Sequence, residues 1–349
     1  MSEERFSLLF YRTCLIGCLL GLTATLYFLS GLAGFVGSPV TNVPIVGILI
    51  FTAAYFVYVL FIPLLDKSRL GFLLWLLILL VLVAEVPLGL VPPTARDELT
   101  HHLAVPKLYA SAGRIYEIPF DYPSYYPMLL EMLFTPWVKW RWDFIPKLIH
   151  GLFGFLTGLL LYGYLARRLS HIYGLLGFLF FVSTPAILRL SNWAYVDLGL
   201  VFYSTASLLC LLQWIEPRKI PALHASRFTP QGSWLVLAGL SAGFAAATKP
   251  NGLVVLLLLF FVLALISGRE SKNATRVTVY HLSLFLLFAF IPISPWLGRN
   301  FVWTGNPLFP FLTSFLGGGS SGDVAGASVG VLARRHLLYG ESIHSHENR

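Results

Sequence analysis

The sequence predicts an all-α polytopic membrane protein, and three observations lead to this fold class. Hydrophobic residues make up 57% of the 349 residues, only 11% are charged, and the mean hydropathy is +0.76. A soluble domain, by contrast, carries about a quarter charged residues. Many apolar segments approach the roughly 20 residues that a helix needs to cross the hydrocarbon core. The first of them is too long for the apolar region of a cleaved signal peptide, and many more follow.

Nine segments have the length and apolarity of membrane spans. The predicted spans are residues 12–36, 44–65, 70–91, 144–165, 171–190, 196–215, 233–248, 250–267 and 277–297. The string TKPNG between the two shortest spans contains proline and glycine, which indicate a tight turn. Residues 92–143 are predicted to form a large loop with helices that lie in the membrane interface. The polytopic domain covers residues 1–310, and residues 311–349 are predicted to be a flexible polar segment.

The positions of the basic residues orient the chain. With the N-terminus in the cytoplasm, the short inside segments hold twelve Lys and Arg residues, and the short outside loops hold Arg189, Lys249 and Arg299. Cytoplasmic loops are enriched in Lys and Arg, so this difference predicts a cytoplasmic N-terminus. The long loop and the polar residues described below then lie on the outer side. The net charge of +8 needs no nucleic-acid partner.

The string TARDELTHH places charged residues at a predicted membrane edge, and two interpretations are open. Thr94 and Asp97 fit the Ser/Thr-x-x-Asp/Glu pattern that starts a helix, which would make the acidic residue a cap. Alternatively, Asp97 or Glu98, kept ionised at a helix N-terminus, takes a proton from an acceptor hydroxyl. His101 and His102 are candidate substrate-binding residues. A metal site is not predicted, because no third ligand accompanies them.

Three further strings place polar residues at predicted span ends. Asp197 in WAYVDLG is either a cap or a functional group, since ionisable residues at membrane depth are costly. Lys249 in TKPNG lies beside a helix N-terminus and predicts a phosphate site, unless it only extends to the interface. Arg299 in PWLGRNFVWTGNPLFPF suits a phosphate or diphosphate. Asn306 is a candidate substrate-binding residue within a turn signal. Glu85 in the third span needs a partner that the sequence does not identify.

Five strings in order resemble the GT-C superfamily of polytopic glycosyltransferases: DELTHHLAVPKLYASAGRIY, YPSYYPMLLEMLF, WAYVDLGLVF, TKPNG and PWLGRNFVWTGNPLFPF. Over about residues 70–320 the chain is similar to bacterial family-39-like enzymes related to protein O-mannosyltransferases and the lipid A aminoarabinose transferase. The resemblance implies a polyprenyl-phosphate sugar donor and an inverting transfer to a hydroxyl of a glycan, lipid or protein. It implies an active site on the outer face of a bacterial plasma membrane. No cofactor is expected.

The resemblance also assigns roles to individual residues. Asp97 is the implied general base, Glu98 is its neighbour in the motif, and Asp197 matches a second acidic position. Lys249 and Arg299 would hold the donor phosphate, an assignment that rests mainly on their charge, because fixed cations stabilise a leaving phosphate. A further candidate substrate-binding residue, Tyr126, stands where mannosyltransferases carry a His-Pro-Pro-type string. Relatives carry further spans, so the resemblance predicts that this chain is truncated.

Two other functional classes fit the apolar composition. A transporter or lipid flippase places charges on broken helices near the bilayer midplane, often in two repeats. Here the charges lie at span ends, and no motif occurs twice. A non-catalytic membrane scaffold explains the spans but not five ordered polar strings. The predicted function is therefore a membrane glycosyltransferase.

Overall fold

The computed structural model describes residues 3–61, 68–215, 230–267 and 274–318. All regular elements within these ranges are helices, without any strand, which confirms the all-α class. The α-helices are α1 (Glu3–Leu32), α2 (Pro39–Phe61), α3 (Arg69–Gly89), α4 (Ala104–Ala112), α5 (Leu129–Val138), α6 (Phe144–Arg168), α7 (His171–Val182), α8 (Pro185–Ser191), α9 (Asp197–Ile215), α10 (Pro230–Thr248), α11 (Gly252–Ser267), α12 (Ala274–Thr304) and α13 (Thr313–Leu316).

Several of these helices are long and apolar enough to cross a membrane. In the described part of the chain there are six candidates: α1, α2, α3, α6, α9 and α12. The pair α7 and α8, bent by 64°, makes a seventh. The two shortest predicted spans form α10 and α11, whose apolar stretches, Gly232–Thr248 and Gly252–Ser267, are shorter. The 16 residues of α11 extend about 24 Å at 1.5 Å per residue. The chain is thus a polytopic membrane protein with six or seven candidate spans, fewer than the nine predicted.

The spanning helices pack through small residues and through buried hydroxyl groups. Gly17 on α1 faces the ring of Phe202 on α9, and a Cβ at this glycine would overlap that ring. The Tyr203 hydroxyl donates a hydrogen bond to the Gly17 carbonyl at 2.8 Å. Ser207 donates in the same way to the Ala238 carbonyl on α10 at 2.7 Å. Small residues let helices in a membrane approach closely, and such hydrogen bonds then join them.

The predicted loop at residues 92–143 is largely helical. It contains a π-helix at Glu98–His102, then α4, a 3-10 helix at Tyr122–Tyr125, and α5. One face of α4 is buried, as expected of an amphipathic helix. By contrast, nine of the ten residues of α5 are buried. This helix packs inside the protein and does not lie in the interface with one face towards lipid.

The chain forms two compact units. The larger unit contains Met1–Ile115 and Pro127–Pro295, and the smaller unit contains Tyr116–Tyr126 and Trp296–Arg349. The predicted flexible segment lies outside the described residues except for positions 311–318, which include α13. The candidate site residues are divided between the two units.

Candidate functional site

Glu98 is a tightly held acidic side chain of the larger unit. It is fully buried, and its Oε2 accepts hydrogen bonds from the backbone N–H groups of Thr94 at 3.0 Å and Ala95 at 3.1 Å. Its Oε1 accepts a third, from Ala194 N–H at 2.8 Å, and lies 3.7 Å from the Lys147 Nζ. A buried carboxylate is tolerated when such donors and a cation replace water. Glu98 therefore joins the start of the π-helix to the segment before α9.

Asp97 has the opposite environment. Its side chain is exposed, and the carboxylate accepts no hydrogen bond from any residue that the structure describes. The predicted capping contact between Thr94 and Asp97 is wrong, because Glu98 accepts the Thr94 N–H instead. The helix that follows is a π-helix, in which Leu103 N–H donates to the Glu98 carbonyl five residues earlier. Single π-turns occur often at functional sites.

Two buried basic residues on α6, which the sequence did not single out, contact the same part of the larger unit, and one of them, Lys147, lies beside Glu98. The Lys147 ammonium is 2% exposed and donates to the Val91 carbonyl at 2.7 Å. One turn later, His150 Nδ1 lies 3.0 Å from the Leu190 carbonyl and 2.8 Å from the Trp193 carbonyl. Its Nε2 accepts a hydrogen bond from Leu198 N–H at 2.8 Å. These partners require the tautomer with the proton on Nδ1.

The two predicted histidines differ in their contacts. His102 is buried, and its Nδ1 lies 2.7 Å from Oε1 of Glu131, which sequence reasoning missed. The other carboxylate oxygen of Glu131 is buried without a hydrogen-bond partner in the described part of the chain. His101 is half-buried and bonds to Thr100. Burial, followed by the charges of His102 and Lys249, lowers the pKa of His101 to about 3, so this imidazole is neutral at physiological pH.

Asp197 and Lys249, each predicted separately, form an ion pair. The Lys249 Nζ lies 2.7 Å from the Asp197 Oδ1, with side chains that are 34% and 28% exposed. Lys249 lies in the predicted tight turn, which the structure confirms between α10 and α11. Asp197 begins α9. Burial and then the charges of Asp97, Glu98 and Asp197 raise the pKa of Tyr195.

Glu85 has the partner that its position in α3 required. Its Oε2 accepts a hydrogen bond from the Asn192 side chain at 2.6 Å. Asn192 also donates to the Leu188 carbonyl at 2.8 Å. The contact fixes the segment between α8 and α9 from a second side.

The remaining predicted site residues belong to the smaller unit. Arg299 is 4% exposed, and its Nη2 donates to the carbonyls of Tyr125 at 2.6 Å and Tyr126 at 3.2 Å. Its guanidinium also lies over the rings of Trp296 and Trp303, at 5.3 and 4.9 Å. This arginine is packed inside the unit and is bonded to the backbone at the end of the 3-10 helix.

Asn306 and Tyr126 also have structural contacts in the smaller unit. Asn306 is fully buried; its side chain donates to the Phe311 and Gly317 carbonyls and accepts from Leu308 N–H. It therefore closes the turn that its Gly-Asn-Pro string predicts. The half-buried Tyr126 stacks on Phe311 at 5.7 Å. Neither contact involves a substrate, so their binding roles stay predictions.

A signal for the missed residues was present in the sequence. Lys147 and His150 lie one turn apart inside the apolar string FIPKLIHGLF, and Glu131 is the only charged residue of YPSYYPMLLEMLF. Ionisable residues within apolar spans are costly and mark partnered or functional positions. Their partners could not have been identified, because the contacts join residues 29 to 96 positions apart. No group of three or more potential metal ligands occurs among the residues that the structure describes.

Comparison with known proteins gives one match. Residues 101–303 match a family model described as dolichyl-phosphate-mannose-protein mannosyltransferase, which is more than half of the chain. No curated protein and no solved structure matches the chain. The matched range includes His102, Glu131, Asp197, Lys249 and Arg299. Asp97 and Glu98 precede it by a few residues.

Proposed function

Because the chain belongs to the dolichyl-phosphate-mannose-protein mannosyltransferase family, we propose that it transfers a sugar from a polyprenyl-phosphate donor to an acceptor hydroxyl with inversion. The family comprises membrane glycosyltransferases of the GT-C type, and their donor is a polyprenyl-phosphate mannose. The integral membrane character of this chain agrees with a lipid-linked donor. A glycan, a lipid or a protein can supply the hydroxyl.

One observation carries the assignment of the base, namely the contrast between two adjacent carboxylates. A general base must be reachable by the acceptor and must be held in a fixed direction. Asp97 is exposed and accepts no hydrogen bond in the described part of the chain, so its oxygen atoms can accept one from a hydroxyl. Glu98, anchored by three backbone N–H groups, fixes the π-helix start beside it. We assign Asp97 as the base and Glu98 as its positioning residue.

The proposed phosphate ligand is Lys249. Its ammonium is one-third exposed and is oriented by Asp197 at 2.7 Å, so it can contact a phosphate without breaking this pair. A lysine binds phosphate as a point charge, and it stabilises the negative charge that develops on the leaving group. Asp197 then acts on the reaction through Lys249. Arg299 is a second candidate by charge alone, since its guanidinium is buried and bonded to backbone carbonyls.

The proposed location of the reaction is the outer face of a bacterial plasma membrane. The outer face follows from the nine predicted spans with a cytoplasmic N-terminus. The bacterial plasma membrane is implied by the resemblance to bacterial enzymes. In this orientation the prenyl tail of the donor stays in lipid while its sugar is in water. The turn that carries Lys249 and the loop that carries Asp97 then lie on the same side.

Substitution of Asp97 tests this function. Asp97→Asn keeps the size of the side chain but removes the base, so transfer from polyprenyl-phosphate mannose to a hydroxyl acceptor should fall about 100-fold or more. The thermal midpoint in detergent should stay near that of the parent, because the exposed carboxylate makes no hydrogen bond to the described residues.

Asp143→Asn is the matched control. Asp143 is an aspartate of the same loop, paired with Lys107 at 3.0 Å, and its substitution should leave transfer within about twofold, since partly exposed pairs contribute little. Transfer by Asp97→Asn at the rate of the parent would contradict the assignment of the base.

A further inference from the structure

The five residues between α8 and α9, Asn192–Val196, are held by polar side chains from three other elements, of which Glu98 and His150 are buried and Glu85 is half-buried. Glu98 accepts the Ala194 N–H at 2.8 Å, and Glu85 accepts a hydrogen bond from the Asn192 side chain at 2.6 Å. His150 from α6 contacts the Trp193 carbonyl on one ring nitrogen and Leu198 N–H on the other. A short connection between two helices does not need three ionisable groups, two of them fully buried, for its own stability.

The segment presents two aromatic rings. Trp193 and Tyr195 are both half-buried, and their ring centroids lie 5.0 Å apart with an interplanar angle of 43°. Arg189 lies over the Trp193 ring at 4.7 Å, and the Tyr195 ring is 5.4 Å from that of His102. The intervening Ala194 is bonded to Glu98, so the two rings flank the residue that joins this segment to the acidic motif.

We propose that Trp193 and Tyr195 form the surface on which the pyranose ring of the donor packs. The C–H face of a hexopyranose is apolar and fits a rigid aromatic ring, while its hydroxyl groups need polar partners at the edge. The exposed carboxylate of Asp97, whose charge acts on the Tyr195 phenol, and the partly exposed Asp197–Lys249 pair supply such partners on neighbouring elements. The inference rests on the proposed function for the identity of the sugar, but not for the existence of the surface.

Membrane anchoring is the other common use of aromatic residues at this depth. The chain contains a group with that character, the tryptophans of the α5–α6 connection. Trp140 and Trp142 are 52% and 47% exposed, and they contact each other and Trp137. Trp193 and Tyr195 differ because they are less exposed and lie among a cation, an imidazole and carboxylates. An environment of this kind suits a polar ring with one apolar face better than lipid.

The test compares two ligands of the full-length protein in detergent, polyprenyl-phosphate mannose and polyprenyl phosphate. The parent should bind polyprenyl-phosphate mannose about tenfold more tightly than polyprenyl phosphate, because only the sugar-bearing lipid reaches the aromatic surface. Trp193→Leu and Tyr195→Leu should each reduce that preference by about fivefold, as expected for the loss of one ring contact. Tyr195→Phe keeps the ring and should keep most of the preference. Trp142→Leu, the control for an interfacial tryptophan, should not change it.

Footprinting of the parent with a carbene reagent gives a second readout that needs no variant. The sugar-bearing lipid should protect positions 193 and 195 from modification, and polyprenyl phosphate should not. The inference is overturned if the leucine variants keep the full preference, or if the parent has neither preference nor protection. A parent that shows sugar-dependent binding and protection but no transfer would retain the aromatic surface and refute the proposed reaction instead.

Discussion

Two adjacent carboxylates in this protein have different environments. Glu98 is fully buried, lies 3.7 Å from Lys147 and accepts three backbone hydrogen bonds, whereas Asp97 is exposed. The Glu98–Lys147 pair is costly to bury, and its stability depends on both partners being present. We therefore expect Glu98 to control folding at this position and Asp97 to control chemistry.

A double-mutant cycle tests the structural role of the pair. Glu98→Gln and Lys147→Met each leave one buried charge without its partner, and each should lower the free energy of unfolding by about 3 kcal/mol. The double variant should lose less than the sum of the two, because no unpaired charge remains. Thermal midpoints and denaturant titrations in detergent measure these changes. Strictly additive effects would show that the two side chains do not stabilise each other.

The two proposed phosphate ligands should respond differently to truncation. Lys249→Ala should weaken donor binding by about tenfold or more, the effect of losing one charge-assisted hydrogen bond. Its thermal midpoint should change little, since the pair with Asp197 is partly exposed and such pairs contribute about 0–1 kcal/mol. Lys107→Ala breaks a comparable pair with Asp143 and should leave donor binding unchanged.

Arg299→Ala should lower the thermal midpoint, because Arg299 is 4% exposed and its loss leaves two carbonyls without this donor.

Donor affinity and midpoint, measured for all three variants, separate binding from packing. Parental binding and turnover by both Lys249→Ala and Arg299→Ala would remove the phosphate assignment. A loss of stability without any loss of affinity in Arg299→Ala would leave Lys249 as the phosphate ligand by itself.

At the scale of elements, hydropathy predicted most helices but not their polar contacts. The predicted spans 144–165 and 196–215 correspond closely to α6 (Phe144–Arg168) and α9 (Asp197–Ile215). Apolar length alone determines such helices, so the sequence is sufficient. The π-helix was not predicted, since it depends on Glu98 bonding to a segment 96 residues away. The buried helix α5 was expected in the interface, because a short apolar helix has no feature that distinguishes the two places.

The turn between α10 and α11 offers a test at the same scale. A Cβ at Gly252 would overlap the backbone of Ala245 and Ala246, so the turn can close only with glycine there. Gly252→Ala should lower the thermal midpoint strongly, and it should weaken donor binding by displacing Lys249. Gly47→Ala on α2 is the control, because a Cβ there meets no atom within 4 Å and alanine favours a helix. Equal midpoints for the two variants would show that the turn tolerates a side chain.

For the whole molecule, the contacts of α10 bear on the number of spans. Near its start, Trp234 packs on Phe10 and Tyr11 at the beginning of α1, with ring centroids 5.6 and 5.5 Å apart. Directly after its end, Lys249 pairs with Asp197 at the start of α9. In the larger unit this helix therefore reaches from the side where α1 begins to the side of the Asp97 loop. A helix with these contacts is expected to span the membrane despite its short apolar stretch.

Cysteine labelling distinguishes nine spans from seven and tests the orientation. In a background without Cys14, Cys18 and Cys210, single cysteines at three exposed positions, Ser111, Ser170 and Asn251, are treated with a membrane-impermeant maleimide added outside intact cells. Nine spans with a cytoplasmic N-terminus predict labelling at 111 and 251 but not at 170, because twelve basic residues favour the inner side. Labelling at 111 without labelling at 251 would indicate that α10 and α11 do not cross the membrane. Labelling at 170 from outside would reverse the orientation and separate Asp97 from the outer face.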